Sequence, residues 1–68
     1  MDSPAISNSQ ILEAIGEYLH SDRDRSILAR RLIDGITYER LAEEFDLSVR
    51  QIKNIVYRNE DILFRKLH

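Results

Sequence analysis

The segment VRQIKNIVYR, residues 49 to 58, carries Arg50, Lys53, Asn54 and Arg58 without one carboxylate among its ten residues. Arginine can donate two parallel hydrogen bonds to guanine and asparagine can pair with adenine, so Arg50 and Asn54 are the donor types that read base edges in a major groove. Lys53 and Arg58 are suited to phosphate oxygens, and a helix beginning near Ser48 adds the positive end of its dipole. At about 100° per residue, Arg50 and Asn54 each lie about 160° from Ile52, one on either side, and Tyr57 falls about 140° away. With Ile52 buried, these three project outward together, flanked by Gln51 and Lys53. The competing account of the same residues is an ordinary solvated face. Gln51 and Ser48 also have a complete local explanation as a helix cap, with base or phosphate contact second, and Tyr57 can either stack on a sugar or lean on the core.

Other chemistry finds little support. Glu43 and Glu44 are adjacent, and neighbouring residues on a helix diverge by about 100°, so they cannot share a substrate. His20 and His68 are too far apart to form a recognisable ligand pair, and without cysteine a zinc site has no partner set. There is no nucleophile with a base at motif spacing, and two glycines leave no phosphate-cradling loop. The expectation is a protein that is not an enzyme and uses no cofactor, metal or small molecule. Arg23, Arg25, Arg30 and Arg31 are expected to pair with surface carboxylates rather than with phosphate.

The 68 residues suffice for one small domain, which buries only about 60% of the surface its unfolded chain exposes. A net charge of −2 argues mildly against a polyanionic partner, but the average hides an asymmetry. Residues 1 to 47 hold five basic and ten acidic side chains; residues 48 to 68 hold five basic and two acidic. The absence of cysteine, of a targeting signal and of any long apolar run points to a cytoplasmic protein without membrane contact.

Four helix starts share one local grammar. Ser7 with Gln10, Ser21 with Asp24 and Ser48 with Gln51 place a hydroxyl three residues before a helical N–H, Thr37 caps the third helix, and Ile6 with Ile11, Ile36 with Leu41 and Leu47 with Ile52 stand at staple spacing. The expected architecture is all-α: a frayed lead over residues 1–6, then one domain over 7–68 with helices at about 8–20, 22–34, 38–45 and 49–67. Ile11, Leu12, Ile15 and Leu19 form the inward stripe of the first helix, Ile27, Leu28 and Leu32 that of the second, and Leu41, Ala42 and Phe45 that of the third. Gly35 supplies a left-handed stop. The third and fourth helices are separated by only three residues, which demands a steep crossing, the geometry of a helix-turn-helix. Asp46 occupies the turn position that favours a left-handed backbone, and Asp tolerates it better than most residues.

The segments ILEAIGEYL, RDRSIL and GITYERLAEEFDLSVRQIKNIV together resemble region four of bacterial sigma factors, especially the extracytoplasmic-function type, across roughly residues 11 to 58. The DLSVRQIKNIV portion is also similar to LuxR-like regulators. The resemblance implies a four-helix domain whose helix-turn-helix binds a promoter element in double-stranded DNA and whose other surface touches RNA polymerase. The promoter-melting region of sigma factors has no counterpart here, Glu39, Glu43 and Glu44 make the third helix acidic, and RNEDILFRKLH departs from the family's usual ending. The expected function is thus a sequence-selective transcriptional regulator module of bacterial or phage type, with Ser48, Arg50, Gln51, Lys53, Asn54, Tyr57 and Arg58 at the DNA. The rival is an adaptor that binds RNA polymerase or a sigma partner through its acidic helices. At the C-terminal end two outcomes stand open. The fourth helix either breaks near Asn59 or Asp61 and folds Ile62 and Phe64 onto the first helix, or it continues and leaves those two for a homodimer or another partner.

Overall fold

The computed structural model describes residues 7–67. The expected lead over residues 1–6, Ile6 of the first staple and His68 lie outside that range. Four helices account for most of it: α1 Asn8–Tyr18, α2 Asp22–Leu32, α3 Tyr38–Phe45 and α4 Val49–Lys66, and no strand occurs among the described residues. The all-α expectation is met.

Every start is capped by the expected hydroxyl. Ser7, Ser21, Thr37 and Ser48 sit in extended backbone and accept the N–H of Gln10, Asp24, Arg40 and Gln51. At α1 and α4 the cap is reciprocal: Gln10 accepts the Ser7 N–H and Gln51 accepts the Ser48 N–H, each at 2.9 Å. Such a cap satisfies two donors that the first helical turn leaves orphaned, and is worth about 1 kcal/mol.

The ends are set less by local sequence. α1 stops at Tyr18, two residues before the expected His20, because Leu19 turns extended and Arg25 reaches back from α2 to donate to the carbonyls of Leu19 (2.6 Å) and Gly16 (3.1 Å). α2 ends at Leu32, two residues short of expectation, and the chain reverses through Gly35 at φ 69°, where the Ile36 N–H returns to the Arg30 carbonyl.

The core consists of Ala14, Ile15 and Leu19 from the α1 segment, Ile27 and Leu28 from α2, Leu41 from α3, and Ile52, Ile55, Val56 and Leu63 from α4. α2 and α4 each pack against the other three helices, and α4 supplies four of the ten buried apolar residues, so the core is assembled mainly along α4. One expected core residue is misplaced: Leu12 is 50% exposed, and Ala14 is buried in its stead. The buried side of α1 is centred between Ile11 and Ile15 and turned toward Ala14, which leaves Leu12 beyond its edge. The expected break does not occur: α4 runs unbroken through Asn59 and Asp61 for 18 residues, about 27 Å.

Candidate nucleic-acid interface

The turn before α4 is fixed by backbone chemistry. Asp46 adopts φ 57° and ψ 46°, and its N–H and that of Leu47 both bond to the Ala42 carbonyl, closing α3 with the left-handed end that usually recruits glycine. Two residues later Ser48 opens α4. Leu47 packs on the core between these two events, so the chain is held on both sides of the bend.

Within α4, Ile52 and Val56 are fully buried and Ile55 nearly so. Their burial fixes the rotation of the helix about its axis and leaves Arg50, Lys53, Asn54, Tyr57 and Arg58 exposed, as are Ser48 and Gln51. Arg50, Asn54 and Tyr57 share the outward stripe because they are spaced four and three residues apart. The oxygens of Ser48 and Gln51 are used in the cap; the Gln51 amide NH₂ has no hydrogen-bond partner among the described residues. Asn54 and Arg50 likewise make no side-chain hydrogen bond among them.

The distribution of ion pairs separates the cations into two groups. Arg23, Arg25, Arg30, Arg40, Arg58 and Arg65 each have a carboxylate within 4 Å. Arg30 is the most engaged, gripping Glu44 with two nitrogens at 3.1 and 2.5 Å and lying 3.7 Å from Asp34. That grip holds the Glu44 carboxyl below, and the Arg30 guanidinium above, their ordinary values. Arg31, Arg50, Lys53 and Lys66 have no carboxylate partner among the described residues. Surface pairing is therefore correct for Arg23, Arg25 and Arg30 and wrong for Arg31, whose guanidinium carbon sits 4.3 Å from the centre of the Tyr38 ring while one nitrogen donates to the Ile36 carbonyl at 2.9 Å.

Tyr38 itself went unnoticed in the sequence. Its ring also receives the Lys53 ammonium at 5.7 Å and the edge of Tyr57 at a centroid distance of 6.2 Å and 81°. Burial raises the Tyr38 phenol above its ordinary value, and the charge of Arg31 opposes the rise. Three helices thus meet at one aromatic ring. The only local signal was an aromatic residue directly after the Thr37 cap; which side chains would reach it depends on the α3–α4 crossing.

Arg58 faces a different neighbourhood. It stands 3.9 Å from Asp24, whose carboxylate also accepts the side-chain amide of Asn59 at 3.2 Å. Asn59 is 5% exposed and donates to the Ile55 carbonyl at 2.8 Å, so this buried polar residue is satisfied and ties α4 to α2. Beyond it, Ile62 is 37% exposed and Phe64 is half-buried. Phe64 lines an open groove of about 450 Å³ with Tyr57, Glu60, Asp61 and Arg65.

No family model matches the chain, and no curated protein or solved structure is significantly similar to it. No helix among the described residues is long and apolar enough to cross a membrane.

Proposed function

We propose that this protein is a sequence-selective DNA-binding module of the helix-turn-helix type, with α3, the Asp46–Ser48 turn and the first half of α4 as its reading unit. The observation that carries this reading is a coincidence of geometry and charge. Arg50 and Lys53, two of the four cations without a carboxylate partner among the described residues, lie beside exposed Asn54 at the capped beginning of α4. In the major groove Arg50 and Asn54 read base edges, while Lys53 and Arg58 hold phosphates and Tyr57 packs against the sugar backbone. Ser48 and Gln51 first shape the helix start, and the Gln51 amide adds a donor there. The module acts in transcription, consistent with its resemblance to sigma factor region four.

Selection of binding sites from random duplex DNA at about 0.1 M salt tests the reading, because nonspecific attraction is then partly screened. An enriched motif supports it; folded protein that enriches no sequence refutes it.

A second reading has its own observation. Glu39 and Glu43 on α3 and Glu13 and Glu17 on α1 form no ion pair among the described residues, which leaves free carboxylates for an adaptor that contacts RNA polymerase or another basic protein surface. DNA binding through α4 weakens steeply with salt and weakens further on neutralising Lys53, whereas adaptor binding is unaffected by that change and fails when Glu39 and Glu43 become glutamine.

A further inference from the structure

Arg31 is the one cation of α2 that no carboxylate neutralises among the described residues, and it does not point at random. Its guanidinium is fastened by the hydrogen bond to the Ile36 carbonyl and lies against the ring of Tyr38, the ring that also receives Lys53. A guanidinium against an aromatic face keeps its remaining N–H donors directed outward, and the contact restrains a side chain that would otherwise have many rotamers. Two positive charges held beside one ring repel each other, an arrangement that a bound anion relieves. The edge-on contact with Tyr57 then links this pair to the outward stripe of α4.

We infer that Arg31 and Lys53, held beside the Tyr38 ring, form a clamp for two neighbouring backbone phosphates of duplex DNA, one for each cation, so that the interface reaches beyond α4 to α2. This rests on the reading of α4 given above and adds a role for two residues outside that helix. Arg31 touches a phosphate of its own beside the one Lys53 holds; Tyr38 is a positioning residue that sets where the two present their charges. Neither reads a base, so both act equally on every sequence.

The test is the salt dependence of affinity for two duplexes, the selected site and an unrelated sequence, measured by fluorescence anisotropy between 50 and 200 mM salt. Each phosphate neutralised contributes about −0.9 to the slope of log affinity against log salt. Arg31→Gln is expected to reduce the slope by about 0.9 on both duplexes, a loss about threefold larger at the low-salt end than at the high-salt end. Arg31→Lys restores most of the slope. Tyr38→Leu weakens binding to both duplexes, and Tyr38→Phe, which keeps the ring, does not. In the free protein, an upfield ring-current shift of the Lys53 ε-methylene protons, lost in Tyr38→Leu, reports the placement without DNA.

An Arg31→Gln slope equal to that of wild type overturns the clamp, and if Arg50→Ala still relaxes base preference the reading of α4 stands without it. Wild-type protein that binds no duplex overturns both. A missing ring-current shift refutes the positioning role of Tyr38 whatever the DNA measurements give.

Discussion

Replacing Asp46 by glycine should leave the stability nearly unchanged, although it adds the most flexible residue to a turn. Asp46 is the only non-glycine residue with positive φ among the described residues, at 57°. An L side chain in the left-handed region costs roughly 1–2 kcal/mol, with Asp toward the low end. Glycine occupies that region freely, but the more flexible unfolded chain costs back part of the gain, on the order of 0.5–1 kcal/mol. Asp46 is exposed and its side chain makes no hydrogen bond among the described residues, so removing it forfeits no contact. One favourable term is lost, the attraction of a carboxylate to the start of α4, and at a screened surface it is worth about 0.3 kcal/mol. The terms nearly cancel, about 1 kcal/mol gained against about 0.8–1.3 lost, so Asp46→Gly should melt within about 2 °C of wild type. Thermal denaturation followed by circular dichroism at 0.15 M salt measures it, with Asp46→Asn as the control that removes the charge and keeps tolerance of the left-handed backbone. Asp46→Ala should melt below wild type. A glycine variant that melts lower than the alanine variant would refute the left-handed turn, and with it the placement of α4.

Arg50→Ala should weaken binding to a selected site by more than about 1 kcal/mol while the melting temperature stays unchanged; an equal loss on unrelated sequences would contradict base reading. Asn59→Ala should cost about 1–3 kcal/mol in urea denaturation, since it strips a buried donor from both the Asp24 carboxylate and the Ile55 carbonyl. A midpoint within error of wild type would mean that water replaces the amide without cost. Glu44 has a folded-state pKa below its ordinary 4.5, so the stability from its pairing with Arg30 is present above pH 4.5 and is lost as the pH falls through the folded value. Glu44→Gln should therefore differ from wild type at neutral pH and converge with it in acid, and a difference independent of pH would locate the effect elsewhere.

Helix starts were legible because a cap is a local event: Ser7, Ser21, Thr37 and Ser48 each act over three residues, and no distant contact can move them. Asp46 and Gly35 were legible for the same reason, since backbone sterics alone restrict which residues turn left-handed. What escaped depends on partners distant in sequence. Arg25 ends α1 from a neighbouring helix, Tyr38 gathers two cations and a tyrosine across three helices, and Asn59 looks like a helix breaker until Asp24, 35 positions earlier, supplies its acceptor. Leu12 failed for a related reason: hydropathy identifies an apolar stripe, but α2 and α4 decide where its edges fall.

The unbroken α4 also constrains how such a module gathers affinity. Only a few cations face the proposed groove, and a salt slope of two or three phosphates leaves a lone copy weakly bound. Under the proposed function a second copy, or delivery by a larger complex such as RNA polymerase, would have to add contacts, and the apolar residues near the end of α4 are exposed Ile62 and half-buried Phe64. They do not form one patch, being about 160° apart around the helix axis. A partner on the Phe64 side enters the groove that Tyr57 also lines, so it competes with DNA for that tyrosine. A partner on the Ile62 side leaves Tyr57 clear, about 140° away. Of the two sides of α4, the Ile62 side is the one through which a homodimer could bind DNA cooperatively. Association through Phe64 would instead be antagonised by DNA, and the effects of Ile62→Glu and Phe64→Glu on cooperativity should have opposite signs.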